Sequence, residues 1–255
     1  MQSLAADGFS RGAAAYDRGR PSYAPAGVAW LAEQLDLRQG ATVVDLAAGT
    51  GKLTADLVGT GAQVLAVEPV AAMRSVLAQR VPAAAVVAGT AEATGLAGNS
   101  AEAVTVAQAF HWFDGDAAVT EIHRILRPGG HLGVIYNTRD SRDPLQAALS
   151  KLVRPYRGSA PAHASGRWRE ALRRTPLLQA AGEHRVDQVH LVDEEGLVDR
   201  VLSISFIAAL PAGERDRVAE AARAMAAEQA AEAGAEPGAQ LGLPYLTEVA
   251  VWARR

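Results

Sequence analysis

The stretch that most constrains the fold is residues 43–51, where an apolar run suited to a β-strand ends in a loop of small residues. A helical pattern follows, and a second apolar run at 64–67 ends in Glu68. The glycines at positions 49 and 51 let the backbone turn sharply and approach a ligand without obstruction by a Cβ atom. An acid at the end of the second strand can accept hydrogen bonds from both hydroxyls of a ribose. The segment therefore predicts a site for a nucleoside-containing cofactor.

Three classes of cofactor-binding loop have related spacing, and the residues around the loop separate them. A phosphate-binding P-loop needs a glycine five positions before Gly51 and a Ser or Thr after Lys52. Leu46 and Leu53 occupy those positions, so the sequence excludes this class. The dinucleotide fingerprint needs a third glycine for close helix packing, and Thr54 stands there. A nicotinamide cofactor is therefore the weaker alternative.

The third pattern has an acid at the strand end ahead of Gly-x-Gly, and Asp45 is that acid. This segment resembles motif I of the class I S-adenosylmethionine-dependent methyltransferases. S-adenosylmethionine carries an ammonium and a sulfonium but no phosphate, so a carboxylate beside the loop suits it and would repel a pyrophosphate. The other stretches that carry the resemblance are Val67-Glu-Pro69, Gly89-Thr-Ala-Glu92, Gln108-Ala-Phe-His-Trp-Phe113 and Leu126-Arg-Pro-Gly-Gly130.

Within that superfamily, Arg20-Pro-Ser-Tyr23 together with the aromatic segment 110–113 is similar to the small-molecule branch that includes trans-aconitate methyltransferase. The resemblance implies an α/β fold with a Rossmann-like, seven-stranded, mostly parallel sheet. Its last strand is expected to be antiparallel, with helices on both faces and a helical cap from the C-terminal half. We expect residues 1–138 to form the cofactor-binding core with an N-terminal lid. Residues 139–255 are expected to supply the cap segments and the last two strands, as a hairpin, of the same sheet.

The spacing of apolar residues predicts strands that alternate with helices in the first part of the chain, which is typical of a parallel sheet covered on both faces. The predicted strands there are 41–47, 63–68, 84–88, 102–107 and 131–136. The predicted helices are one starting near Pro25, 52–59, 71–80 and one capped by Asp114 or Asp116, and a turn covers 127–130. Farther on, the pattern predicts helices at 143–154, 166–181, 195–202 and 213–233, strands at 185–192 and 245–253, and a flexible connection at 234–244.

The resemblance also implies where the cofactor binds. Backbone groups of the loop 45–51 would hold its methionine half, and Glu68 would bind the ribose hydroxyls. Thr90 and Ala91 would meet the adenine edge, although the commoner pattern has an aspartate where Thr90 stands. Arg20 can pair with the methionine carboxylate, because guanidinium binds carboxylate through two hydrogen bonds. The predicted cofactor-binding residues are Tyr16, Arg20, Asp45, Ala47, Gly49, Gly51, Glu68, Pro69, Thr90, Ala91 and Gln108.

Catalytic and substrate-binding candidates come from residues expected at the crevice beside the strand ends. His111 can orient a substrate oxygen or act as a base, and a tyrosine can serve the same purpose. The predicted catalytic residues are His111, Tyr23 and Tyr136, and the predicted substrate contacts are Trp112, Asn137 and Ser205.

The composition excludes several classes of protein and of functional site. At 255 residues and a formal net charge of −3, the chain can bury one sizeable core and lacks the positive balance of nucleic-acid-binding proteins. The absence of cysteine excludes disulfides, thiolate metal ligands and cysteine nucleophiles. No stretch is long and apolar enough to span a membrane, and the polar N-terminus does not resemble a secretory signal, so we expect a cytoplasmic protein.

These observations predict metal-independent transfer of a methyl group from S-adenosylmethionine to a small molecule, with a carboxylate or hydroxyl oxygen as acceptor. Positioning and exclusion of water would do most of the work. Two alternatives share the fold: a protein that binds the cofactor without transferring its methyl group, and an RNA methyltransferase that uses the arginine-rich stretch 139–174. Such charge clusters more often lie on solvated helical faces.

Overall fold

In the computed structural model, the described residues are 19–158, 161, 166–232, 234, 236 and 238–255. The strands are β1 (Thr42–Leu46), β2 (Gln63–Val67), β3 (Ala85–Val87), β4 (Ala101–Ala107), β5 (Leu126–Arg139), β6 (Leu178–Val192) and β7 (Leu241–Arg254). The α-helices are α1 (Pro25–Gln34), α2 (Lys52–Val58), α3 (Ala71–Arg80), α4 (Gly115–Ile125), α5 (Pro144–Val153), α6 (Arg167–Arg174), α7 (Glu194–Leu202), α8 (Ser205–Ala208) and α9 (Ala212–Glu232). Short 3-10 helices cover Phe110–Trp112 and Arg154–Tyr156.

The strands form one seven-stranded sheet in the order β3-β2-β1-β4-β5-β7-β6. All pairs from β3 to β5 are parallel, whereas β7 is antiparallel to both of its neighbours. This arrangement confirms the predicted fold class. The order of strands reverses between β1 and β4, and ligands of open α/β sheets bind in the crevice at such a point.

Both faces of the sheet are covered. Val43 belongs to an apolar cluster that also holds Leu31 of α1 and Leu57 of α2, whereas the adjacent Val44 belongs to a cluster that holds Ile122 of α4. Successive residues of a strand point to opposite faces, so this alternation places α1 and α2 on one face and α4 on the other. Val43 and Val44 are both apolar and buried because neither face of the sheet meets water at β1.

A third apolar cluster joins α5, α7, α8 and α9 to the end of β6 and the start of β7. Its members include Leu149, Leu197, Ile207, Val218 and Leu243, all nearly inaccessible to solvent. These helices form the cap that the fold class predicts. No helix among the described residues is long and apolar enough to cross a membrane.

Two predicted boundaries in the second half were wrong. The helix predicted at 166–181 ends at Arg174, and β6 begins at Leu178. The helix ends there because Thr175 precedes Pro176, and a proline disfavours the helical conformation of the residue before it. Strand β6 then pairs with β7 from Leu178 opposite Arg254 to Val192 opposite Leu241, well beyond the predicted 185–192. Pairing along the sheet outweighs the weak helical preference of this segment.

Two smaller differences concern connections, and one finding decides between two predicted helix caps. Residues 241–244, predicted as a flexible connection, belong to β7, and the two last strands are joined by α7, α8 and α9 instead of a tight turn. Residues 127–130, predicted as a turn before the fifth strand, lie within β5 at a register shift opposite Ala101 and Ala103. Asp114, and not Asp116, caps α4, because its side chain accepts from the Ala117 N–H.

Candidate functional site

Two adjoining cavities lie at the carboxyl ends of β1 and β4 and share the wall formed by Ala47, Ala107 and Gln108. The first, here called the Glu68 cavity, is lined by Ala47, Glu68, Pro69, Thr90, Ala91, Glu92, Ala107, Gln108, Ala109, Trp112 and Phe113. The second, here called the Arg200 cavity, is lined by Arg20, Pro21, Tyr23, Ala47, Ala48, Gly49, Thr50, Lys52, Leu53, Ala107, Gln108, Asn137, Arg200 and Tyr245. Most of the predicted site residues therefore come together at the crevice.

Two residues of the shared wall have backbone conformations that residues other than glycine rarely adopt. Ala47 has a φ of 53° and Gln108 a φ of 59°, although neither is glycine. Non-glycine residues in this left-handed region are strained, and such strain concentrates at functional sites. Both residues directly follow a strand, where the chain turns away to leave the crevice open.

Gly49 and Gly51 of the loop have different structural roles. Gly49 has a φ of 61° and lines the Arg200 cavity. Gly51 has a φ of 84°, and a Cβ atom there would lie 3.1 Å from Leu77 Cγ and 3.2 Å from Val81 Cγ2. Gly51 is therefore needed for the turn and for the close approach of α3, and it lines neither cavity.

Glu68 is 3 % exposed and ties β2 to the glycine loop. Its Oε2 accepts from the Gly49 N–H at 2.9 Å, and its Oε1 accepts from the Val70 N–H at 2.8 Å. Burial raises the pKa of Glu68, against the effect of these two hydrogen bonds. Each carboxylate oxygen has more than one lone-pair site, so both can accept a further hydrogen bond from a hydroxyl in the cavity.

Asp45 is fully buried beneath the loop and lines neither cavity. Its carboxylate accepts from the Thr54 hydroxyl at 2.7 Å and from the Thr105 hydroxyl at 2.9 Å. Burial raises the pKa of Asp45 to about 6, although the two hydroxyls oppose the shift. Asp45 thus holds α2 and β4 to the end of β1. Thr54, where the dinucleotide fingerprint has its third glycine, has a structural partner here.

The predicted adenine-edge residues lie in the Glu68 cavity. Thr90 and Ala93 form an isolated bridge, and the Thr90 hydroxyl accepts from the Ala93 N–H at 3.2 Å. Ala91 is buried, and Pro69 lies on the other side next to Glu68. Trp112, predicted as a substrate contact, lines this same cavity.

His111 and Tyr136 form a contact outside both cavities. The Tyr136 hydroxyl lies 3.2 Å from His111 Nδ1 and accepts from the His111 backbone N–H at 3.2 Å. Burial raises the pKa of Tyr136, and its ring packs on Trp168 at 4.9 Å between centroids. His111 lines a separate cavity with Phe113 and Trp168, bounded by the start of α4 and by α6. Tyr136 therefore orients His111 and contacts neither of the two cavities itself.

Asn137 joins the N-terminal segment to the sheet. Its Nδ2 donates to the Ser22 carbonyl at 3.0 Å, and its Oδ1 accepts from Gln188 at 2.8 Å and from Thr247 at 2.7 Å. Asn137 lines the Arg200 cavity, beside the nearly buried Tyr23. The contacts of its amide are thus made to the protein, which holds the segment after Arg20 in place.

Some of the predicted site residues line neither the Glu68 cavity nor the Arg200 cavity. Ser205 is buried at the start of α8, in the cap, and lines neither cavity. Tyr16 lies outside the described residues. The predicted residues that line neither cavity are Asp45, Gly51, His111, Tyr136 and Ser205.

The cap end of the Arg200 cavity was not predicted. Arg200 is 7 % exposed, and its Nε donates to the Tyr245 hydroxyl at 2.7 Å. Tyr245 is the strand partner of Arg139, whose guanidinium also interacts with it electrostatically. Burial acts to raise the pKa of Tyr245, but the guanidiniums of Arg200 and Arg139 hold it below its usual value. Arg200 sits in an acid-rich stretch of the sequence, so charge counting could not reveal it.

Known proteins are similar to this chain over nearly its whole length. A family model described as "Methyltransferase domain" matches residues 44–134. An uncharacterized methyltransferase of Mycobacterium tuberculosis is 37 % identical over 239 residues, which cover 94 % of this chain and 92 % of that protein. An uncharacterized methyltransferase-like protein of Schizosaccharomyces pombe is 32 % identical, with 82 % of each chain covered.

A solved structure, described as a proposed type II methyltransferase from Anaeromyxobacter dehalogenans, superimposes with a TM-score of 0.64 at 24 % identity. The match covers 92 % of this chain and 97 % of that one. The likeness to this solved structure concerns the fold. The segment that the family model matches, residues 44–134, contains the glycine loop, Glu68, Thr90 and the shared wall of the two cavities.

Proposed function

Because the chain belongs to the class I S-adenosylmethionine-dependent methyltransferases, we propose that it methylates a small molecule without a metal ion, at a carboxylate or hydroxyl oxygen. The observation that carries the proposal is the position of Glu68. Its buried carboxylate stands at the end of β2, faces a cavity and is held by the Gly49 N–H of the glycine loop. A carboxylate so placed suits the two hydroxyls of a ribose.

The two cavities fit the two halves of the cofactor. The Glu68 cavity would hold the nucleoside, with Glu68 at the ribose and Thr90 and Ala91 at the adenine edge. The Arg200 cavity would hold the methionine part against Gly49, with Arg20 near its carboxylate. S-adenosylmethionine, when bound, supplies an activated methyl group.

The chain's own residues would position the acceptor and exclude water. Tyr23 and Asn137 line the Arg200 cavity, and Asn137 fixes the N-terminal segment that covers it. An acceptor carboxylate is already ionised at neutral pH and needs only alignment. We propose that residues up to 138 form the cofactor-binding core and that the later residues close the acceptor side through Arg200 and Tyr245.

We assign His111 the role of orienting an oxygen. The Tyr136 hydroxyl accepts from the His111 backbone N–H and lies within hydrogen-bond distance of His111 Nδ1, which fixes the imidazole after the end of β4. An oxygen of a ligand in the cavity that His111 lines with Phe113 and Trp168 would then meet an imidazole held in one position.

The first experiment is a calorimetric titration with S-adenosylmethionine and S-adenosylhomocysteine. We expect wild type to bind both, and Glu68→Ala to weaken binding at least tenfold, or about 1.4 kcal/mol. Glu220→Ala, an exposed change on α9, is the control. Because Glu68 also holds the glycine loop, Glu68→Gln and a thermal melt of each variant separate loss of the ligand contact from loss of structure.

The rival functions give different results in the same set of titrations. Binding of a nicotinamide dinucleotide, with no binding of either nucleoside, would contradict the proposal. Cofactor binding without methyl transfer to any of a panel of small acids and phenols would favour a binding protein. Tight binding of RNA that weakens steeply with salt would favour an RNA methyltransferase.

A further inference from the structure

The cap end of the Arg200 cavity carries positive charge that no carboxylate of the described residues pairs with. Arg200 contacts the Tyr245 hydroxyl and the Ser203 hydroxyl, and Arg139 contacts Ser150 and Tyr245. Among the described residues, neither arginine lies within salt-bridge distance of an acid. Arginines that are largely buried are normally paired, so this arrangement is unusual.

The pKa values of the neighbouring titratable groups reflect this positive field. Burial, together with the charges of Arg200 and Arg20, lowers the pKa of Arg139 to about 9. His190 lies on the same side: burial lowers its pKa, and Arg200 and Lys52 act in the same direction. The His190 Nε2 atom is buried and has no hydrogen-bond partner among the described residues. The groups that face Tyr245 are therefore cationic or neutral.

The cofactor does not supply the missing negative charge. S-adenosylmethionine carries an ammonium and a sulfonium against a single carboxylate, so it adds net positive charge to the site. Its single carboxylate would lie near the glycine loop and Arg20, and Arg20 itself donates to the Ser203 carbonyl beside Arg200, so that one carboxylate would face three guanidiniums. A second anion is needed to offset the field around Arg200.

Resting on the proposed function, we propose that Arg200, with Tyr245 and Arg139 behind it, forms a subsite for an anionic group of the methyl acceptor, a carboxylate or a phosphate. The guanidinium fork of Arg200 matches the oxygens of either group. One cavity joins this subsite to Gly49 and Thr50 of the loop, so an acceptor held by its anionic end reaches the cofactor side. Arg200 touches the acceptor, and Arg139 is a positioning residue that acts through Tyr245.

The test uses succinate and inorganic phosphate as probes, titrated into the full-length protein saturated with S-adenosylhomocysteine. We expect wild type to bind at least one probe and Arg200→Met to weaken that binding at least tenfold. Arg200→Lys should fall between the two, because it keeps the charge and loses the fork. Arg139→Met, which leaves Arg200 in place, is expected to weaken probe binding less, and Arg223→Lys, an exposed arginine on α9, to leave it unchanged.

The same variants decide whether the anion belongs to the acceptor or to the cofactor. If Arg200→Met weakens S-adenosylhomocysteine but not 5′-methylthioadenosine, which lacks the amino-acid part, Arg200 binds the cofactor carboxylate and the subsite proposal is overturned. Failure of wild type, with S-adenosylhomocysteine bound, to bind either probe overturns it as well. Failure to bind S-adenosylhomocysteine at all would contradict the proposed function itself. Thermal melts identify a variant that has lost its fold, and Arg200→Lys then carries the test.

Discussion

At the scale of single residues, Asp45 has a stability cost that depends on pH. Burial raises its pKa from 3.8 to about 6, so the folded protein binds a proton there more readily than the unfolded chain does. The contribution of this proton to stability is present below pH 4 and is lost as the pH rises through 6. The ionised Asp45 therefore costs the native state on the order of 2–3 kcal/mol at neutral pH.

Asp45→Asn should remove this dependence. We expect the free energy of unfolding of wild type to fall, relative to the variant, as the pH rises from 4 to 6. Urea denaturation of both proteins at pH 4, 5, 6 and 7 measures the difference, in which the titration of Glu68 and other acids largely cancels. A constant difference across this range would show that Asp45 keeps an ordinary pKa.

Gly51 gives a second prediction at the residue scale. Gly51→Ala must adopt a φ of 84° and place its Cβ 3.1 Å from Leu77, whereas Gly40→Ala has a φ of 87° with nothing within 4 Å. Both variants bear the cost of the left-handed backbone, about 1 kcal/mol, and only the first disturbs α3. We expect Gly51→Ala to lose about 1–3 kcal/mol more stability than Gly40→Ala. Equal losses in chemical denaturation would mean that α3 yields without cost.

At the scale of elements, the N-terminal segment depends on one buried threonine. Thr247 in β7 donates to Asn137 Oδ1 at 2.7 Å and accepts from the Ala24 N–H at 3.2 Å. Thr247→Val leaves the Ala24 N–H without its acceptor, which costs about 1–3 kcal/mol. We expect faster amide exchange at the start of α1 and weaker binding of S-adenosylhomocysteine, because the segment lines the Arg200 cavity.

A nearby threonine provides the control for this prediction. Thr138 on β5 donates to Glu248 at 2.8 Å and makes no hydrogen bond to residues 19–27, the described part of the N-terminal segment. Thr138→Val should leave amide exchange in residues 21–27 unchanged. If both variants accelerate exchange there equally, general loosening of the sheet, and not the Thr247 contact, explains the effect.

The elements also show where sequence patterns suffice and where they fail. Strands β1, β2 and β4 are predicted correctly because most of their residues are apolar and lie buried between the two helical layers. Strand β6 is an edge strand, and most of its residues from Gln179 to Leu191 are polar or small. Its length is fixed by pairing with β7, which no local pattern records. The helix predicted there fails for the same reason.

At the scale of the whole molecule, a site residue can be predicted from the sequence when a local motif or strand pattern marks its position. Gly49 and Glu68 are located by the spacing of the glycine loop and the next strand, and Gln108 is located because it closes a predicted strand. The Arg200 subsite combines the end of α7, the start of β7 and the end of β5. Residues so far apart in sequence meet only through the sheet order and the Arg139–Tyr245 pairing, which the pattern of the sequence does not specify.

Strand β7 makes the core and the cap one cooperative unit. Its first residues, Leu241 and Leu243, pack in the cap cluster, whereas Val251 and Trp252 pack in the two clusters of the core. A strand that runs through both cannot lose one partner without exposing apolar surface in the other. We therefore expect core and cap to unfold together.

Two probes test this expectation because the tryptophans report on the core alone. Trp30, Trp168 and Trp252 lie in the core clusters and Trp112 lines the Glu68 cavity, whereas far-ultraviolet circular dichroism also reports the cap helices. Thermal transitions by fluorescence and by circular dichroism should coincide. Saturating S-adenosylhomocysteine should raise both midpoints together, with about 2.7 kcal/mol of added stability at a hundredfold excess over Kd. A cap that melts first, or that the ligand leaves unshifted, would mean that the Arg200 subsite forms independently of the cofactor site.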